Sequence, residues 1–133
     1  MKTINASCLC RRVQLGLNDN FLYMGNCHCS ECRKFTGSDY SSAGGLKAED
    51  VEILQGKESI ACYDKSEETS LFFCKHCGSS LYSFKHATQI YNIRLGILDG
   101  VSVSKPRFHI HTASKAGWVE ITDNLKVFEN NPS

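Results

Sequence analysis

The sequence predicts a mainly β domain of short strands whose turns carry cysteine motifs. Three observations predict it. Apolar and polar residues alternate with a period of two in many short stretches. A 3.6-residue apolar period is hard to find over any long window. Seven of the eight cysteines fall in three close-spaced groups: Cys8-Leu9-Cys10, Cys27-His28-Cys29-Ser30-Glu31-Cys32 and Cys74-Lys75-His76-Cys77.

In chain order, Val13, Leu15 and Leu17 alternate against Gln14 and Gly16 just after the first cysteine pair. Ser30 to Thr36, following the central cluster, reads as a short helical turn. Val51 and Ile53 alternate against Glu52, and Leu81 and Ser83 add a weaker case. Tyr91, Ile93, Leu95 and Ile97 form the longest period-two row, with Asn92 and Arg94 on the other face. Phe108, Ile110 and Thr112 alternate against His109 and His111, which should share one strand face; Val119 and Ile121 form a weak last case. Gly44-Gly45 and Asp99-Gly100 mark turns. No internal repeat divides the chain. It reads as one domain over residues 1–133, with an ordered core of about 3–129 and a tail at 130–133.

A chain of 133 residues buries roughly two-thirds of the surface of its unfolded form, so metal is not its only support. Its 41% hydrophobic and 22% charged residues are those of a soluble globular protein. The net charge of +1 is spread, without a basic field for nucleic acid or a like-charge tail. Met1 to Arg12 holds no apolar core of a signal peptide, and stretches such as Leu71-Phe72-Phe73-Cys74 are too short to span a bilayer. A cytoplasmic location is therefore expected, and in a reducing compartment clustered thiols point to metal rather than disulfides. Cys8-x-Cys10 and Cys27-x-Cys29 are also poorly placed to pair internally.

Cys74-x-x-Cys77 followed by Gly78 has the form of a zinc knuckle, in which glycine supplies a positive φ to the tight turn. Cys62 stands alone and reads as a small buried hydrophobe. Seven thiols then divide as four plus three. Structural zinc takes four protein ligands; catalytic zinc keeps three and an open position. One partition joins Cys29 and Cys32 to Cys74 and Cys77 as a ribbon. The other joins Cys8, Cys10, Cys74 and Cys77 and leaves Cys27, Cys29 and Cys32 as a local triad, which needs almost no loop closure. Arg33 and Lys34 are candidates to offset the charge of a three-thiolate site. His28 and His76 should point away from the metal, His109 and His111 should be satisfied or exposed polar residues, and Trp118 and Phe128 should be core or lid residues.

At these motifs the chain resembles a known family. Ser7-Cys8-Leu9-Cys10, Cys27-His28-Cys29-Ser30-Glu31-Cys32-Arg33-Lys34-Phe35-Thr36-Gly37-Ser38, Phe73-Cys74-Lys75-His76-Cys77-Gly78-Ser79-Ser80-Leu81, Gly96-Ile97-Leu98-Asp99, then Pro106, His109, Ser114-Lys115 and Trp118 match in order. They resemble the glutathione-dependent formaldehyde-activating enzyme family, which includes centromere protein V. The resemblance implies packed antiparallel sheets like those of methionine-R-sulfoxide reductases. It implies two zinc ions, a structural one on Cys8, Cys10, Cys74 and Cys77 and a catalytic one on Cys27, Cys29 and Cys32. It also implies carbon–sulfur lyase chemistry between a small thiol, glutathione, and formaldehyde. Arg33, Lys34, Arg94 and Lys115 are the candidate contacts for the glutathione carboxylates. One departure is visible: the family carries glycine after its first C-x-C, and here the position is Arg11. The alternative to an enzyme is a non-catalytic, zinc-stabilised binding or scaffold module.

Overall fold

The computed structural model describes residues 3–131; Met1, Lys2, Pro132 and Ser133 lie outside them. Eleven short strands and one helix follow in order. They are β1 (Ile4–Ser7), β2 (Gln14–Leu17), β3 (Tyr23–Cys27), α1 (Ser30–Thr36), β4 (Ser41–Lys47), β5 (Val51–Gln55), β6 (Ile60–Asp64), β7 (Thr69–Cys74), β8 (Ser80–Lys85), β9 (Ile90–Arg94), β10 (Phe108–Ile110) and β11 (Lys126–Val127). A small antiparallel sheet has the order β1-β2-β5, and a large one the order β11-β10-β3-β4-β9-β8-β7-β6. Pairing in the large sheet is antiparallel except at β10, which runs parallel to both β3 and β11.

The mainly β expectation holds, and its period-two logic explains the core. Ile4, Ala6, Leu15 and Leu17 from the small sheet pack on Leu46, Leu81, Tyr82 and Ile93 from the large one. Val13, Leu15 and Leu17 are all fully buried. Because side chains alternate across a strand, the opposite face of the large sheet is left free of this core. Its residues include Tyr23, Gly25 and Cys27 on β3, Ser41 and Ala43 on β4, Asn92 and Arg94 on β9, and Phe108 and Ile110 on β10.

Two glycines keep that free face open to aromatic rings. A Cβ on Gly25 would lie 2.2 Å from the Phe108 ring, and one on Gly45 would lie 2.4 Å from the Tyr23 ring.

Several expectations are corrected. The row beginning at Tyr91 stops at Arg94, and Leu95–Ile97 forms a 3-10 turn. The chain must leave the large sheet there to reach the small one. Asp99 N–H donates to Asn5 O at 2.8 Å, and Ser7 Oγ donates to Asp99 Oδ2 at 2.6 Å. β10 likewise ends at Ile110. His111 turns the backbone at φ 56, so it does not share a strand face with His109. Val119 and Ile121 form no strand. Trp118 is 72% exposed and donates through Nε1 to Asp39 Oδ1 at 2.8 Å, so it is not a core residue. Phe128 is half-buried against Phe108. Cys62 is exposed rather than buried. It sits on β6, an edge strand of the large sheet, and its thiol donates to Asp64 Oδ1 at 3.5 Å. Of the expected tail, Asn130 O accepts from His111 N–H at 3.0 Å and Asn131 borders a cavity described below.

Candidate metal centres and the cavity beside them

The sulfurs of Cys8, Cys10, Cys74 and Cys77 all lie within 4.8 Å of one another. Two turns bring them together. After β1, Arg11 N–H donates to Cys8 O at 3.0 Å, and Val13 N–H donates to the Cys8 sulfur at 3.3 Å. After β7, Gly78 N–H donates to Cys74 O at 2.8 Å. Gly78 has φ 78, as the knuckle requires. Arg11 has φ 66, so the first turn also needs the left-handed conformation and holds it with a residue that pays a steric cost for it. Burial pushes the Cys8 thiol up to about 11. Burial also opposes ionisation of Cys77, but hydrogen bonds from the Ser79 side chain and backbone outweigh it and bring that thiol down to about 5. Four like groups this close do not all ionise unless a cation sits among them, so the donor set fits a soft metal ion.

The second group is Cys27, Cys29 and Cys32, whose sulfurs also lie within 4.8 Å of one another. All three come from one short segment. Cys27 ends β3. Cys29 is the N-cap of α1, and its sulfur accepts from Cys32 N–H at 3.3 Å. Cys32 lies in the first turn of that helix, which stops at Gly37 with φ 64. Among the described residues, no further His, Cys, Asp or Glu joins this group. Hydrogen bonds from Cys27 and Cys32 hold the Cys29 thiol far below the ordinary range, and the same contact to Cys29 pushes Cys27 far above it. Three thiols this close do not all ionise unless a cation sits among them.

The histidines stand aside. His28 is fully buried and shares a 2.8 Å hydrogen bond, Nε2 to Nδ1, with His109. His109 Nε2 in turn donates to Asp123 Oδ2 at 3.0 Å. His109 is therefore a satisfied buried residue, and the pair anchors the loop that carries Cys27 and Cys29. His76 is exposed, and His86 shares a hydrogen bond with Ser70 at 2.8 Å.

The triad opens on a cavity of about 580 Å³ along the free face of the large sheet. Phe35, Leu71, Phe108 and Ile110 supply apolar walls, and His111 borders it as well. Its cations are Arg94, Lys65 and Lys85. Arg33 and Lys34 do not line it. Arg33 Nη2 donates to Ser114 O at 3.2 Å, and Lys34 borders a second cavity that shares Phe35, Ser41 and Arg94 with the first. Lys115 Nζ donates to Val119 O at 2.9 Å and also lies elsewhere.

Arg94 is the buried cation beside the triad, and its charge interacts with Cys32, Cys27 and Cys29. It is only 7% exposed, and its guanidinium lies 5.0 Å from the Phe35 ring centre. Burial lowers its pKa, an effect opposed by the charges of Cys32, Cys27 and Cys29. Lys65 pairs with Glu31 at 2.6 Å, and Lys85 donates to Thr69 at 2.9 Å. No motif marks either lysine. Lys85 shares a face with Ser83, but only the strand register reveals which face that is.

A family model described as glutathione-dependent formaldehyde-activating enzyme matches residues 3–114. The chain belongs to this family. Among its relatives, a putative glutathione-dependent formaldehyde-activating enzyme of Penicillium rubens is 29% identical over 59% of this chain. One of the same description from Colletotrichum graminicola is 30% identical over 60%. The chain spans about two-fifths of their length, 41% and 42%. An uncharacterized lyase of Schizosaccharomyces pombe is 24% identical over 76% of this chain and 72% of its own. The crystal structure of a Rhodobacter sphaeroides protein superposes with a TM-score of 0.61, at 24% identity, over 74% of this chain and 91% of that one. This last likeness supports the fold alone. Among the described residues no helix is long and apolar enough to cross a membrane.

Proposed function

We propose that this chain is a zinc-dependent carbon–sulfur lyase of the formaldehyde-activating type, joining a small thiol such as glutathione to formaldehyde and reversing the step. The observation that carries the reading is the difference between the two sulfur groups. The four-sulfur group holds two buried thiols and closes on itself. The three-sulfur group has no further ligand among the described residues and borders a cavity of small-molecule size. Cys8, Cys10, Cys74 and Cys77 would hold a structural zinc, and Cys27, Cys29 and Cys32 a second one with an open position. Zinc bound by the triad would supply a positive charge that keeps an entering thiol ionised near neutral pH.

The chain's own residues do the rest. The N-cap geometry of Cys29 fixes the three sulfurs on the cavity side. Arg94 offsets their negative charge from a buried position. Phe35, Leu71 and Phe108 offer apolar walls to the entering group. The family relationship supports the assignment to glutathione and formaldehyde. Clustered thiols that must stay reduced agree with a cytoplasmic setting.

Exchange spectroscopy on S-hydroxymethylglutathione tests the reading. Zinc-loaded protein should exchange formaldehyde faster than the thiol–aldehyde background. A rate equal to that background would remove the formaldehyde assignment.

A further inference from the structure

Among the described residues, one buried polar atom on each of two side chains beside the triad has no hydrogen-bond partner. Ser41 Oγ and Arg94 Nε make no hydrogen bond and do not meet solvent. Ser41 is 2% exposed and Arg94 7%, and both residues border the cavity. Buried polar atoms are nearly always paired, so two orphans on one wall require an explanation.

Strand register places them together. Ser41 on β4 lies directly opposite Cys27 on β3. Ala43, two residues on, lies directly opposite Arg94 on β9. Opposed residues share a face, with Cβ atoms about 5 Å apart. Cys27, Ser41 and Arg94 thus form one contiguous patch on the free face. Arg94 Nη1 is engaged by Asn92 O at 2.9 Å and Ser83 Oγ at 3.4 Å, and Phe35 covers the guanidinium plane. Among the described residues, no carboxylate pairs with this side chain.

We propose that Ser41 and Arg94 form an oxyanion subsite that receives the oxygen of the aldehyde carbon next to the thiol sulfur. The inference rests on the thiol–aldehyde reading above. In the forward step the thiolate lone pair forms the sulfur–carbon bond. The carbonyl π bond breaks, and its electron pair moves to oxygen. The oxygen accepts hydrogen bonds from Arg94 and Ser41 as charge builds on it, then takes a proton from water. In reverse the oxygen loses that proton, the carbonyl re-forms, and the thiolate leaves. Arg94 stays protonated throughout. Preorganised donors at a developing oxyanion act most strongly in a site that excludes water. The subsite favours thiols that carry an anionic oxygen close to sulfur over simple alkanethiols.

Binding to cobalt-substituted protein, followed through its visible absorption, tests this without turnover. The probes are mercaptoacetate and ethanethiol. Mercaptoacetate should bind at least about tenfold more tightly, as a charge-assisted hydrogen bond supplies. Ser41→Ala should reduce the preference by about threefold, and Arg94→Gln should reduce it to near unity. Equal affinity of the two probes in the native protein would overturn the subsite and leave the thiol-binding reading standing. A preference undiminished in both variants would also overturn it, because chelation by the probe's carboxylate survives these substitutions. A spectrum unmoved by either thiol would overturn the proposed function and the subsite with it.

Discussion

Serine replacements at Cys10 and Cys29 separate the two sulfur groups by the length of chain each one closes. Serine keeps nearly the same shape, and at position 29 it is a good N-cap, so the cap on Cys32 N–H survives. What is lost is the tie through the metal. Cys10 and Cys74 are 64 residues apart, and their contact joins the turn after β1 to the turn after β7. Treated as a cross-link, a loop of that length constrains the unfolded chain by about 4 kcal/mol. Cys29 and Cys32 are three residues apart, and the whole triad spans six. By the same relation a loop that short is worth about 2 kcal/mol. Cys10→Ser should therefore cost about 2 kcal/mol more than Cys29→Ser, or about 6–10 °C in Tm for a chain of this size. Thermal unfolding of zinc-loaded native and variant proteins, followed by circular dichroism under reducing conditions, measures it. The division into a staple and an open site fails if Cys29→Ser lowers Tm as much as Cys10→Ser does.

Arg11→Gly should raise stability by up to about 1 kcal/mol, because relief at φ 66 exceeds the entropy glycine adds to the unfolded chain. Denaturant midpoints check this, and a lower midpoint in the glycine variant refutes it. A chelator challenge of the two-zinc protein should remove one equivalent early and the second only with loss of the fold, read by a metallochromic dye alongside circular dichroism; simultaneous release of both would contradict the assignment. Asp123 is held below the ordinary carboxylate range chiefly by the hydrogen bond from His109. A depressed folded-state pKa stabilises above the unfolded value near 4 and loses that contribution as pH falls through the folded value. Asp123→Asn should therefore narrow its stability deficit against native protein as pH drops from 6 toward 3; a deficit constant over that range would dissociate Asp123 from acid stability.

The cysteine groups are legible in the sequence because metal ligation imposes its own spacing. Three thiols within Cys27–Cys32 meet locally, with α1 and its Cys29 cap as the device, and this geometry depends on six consecutive residues. The joining of Cys8 and Cys10 to Cys74 and Cys77 was one of two partitions that spacing allows. The family motifs favoured it, and the approach of the two turns realises it. Alternation also located the buried strand face at Val13, Leu15 and Leu17. It failed where the chain changes sheets, at Leu95–Ile97, since a period-two row does not reveal that Asp99 is needed beside β1.

Residue identity determined the thiol chemistry of the candidate site, because ligand type and short-range spacing are written along the chain. Tertiary structure decided which cations serve it. Arg33 and Lys34 adjoin Cys32 in sequence yet lie off the cavity, whereas Arg94 lies 62 positions beyond Cys32 and faces it across the sheet. A strand's alternation says that Arg94 opposes Ile93 but not which of the two faces is buried. That choice was made by the small sheet covering Ile93, which leaves Arg94, Ser41 and Cys27 together on the open side.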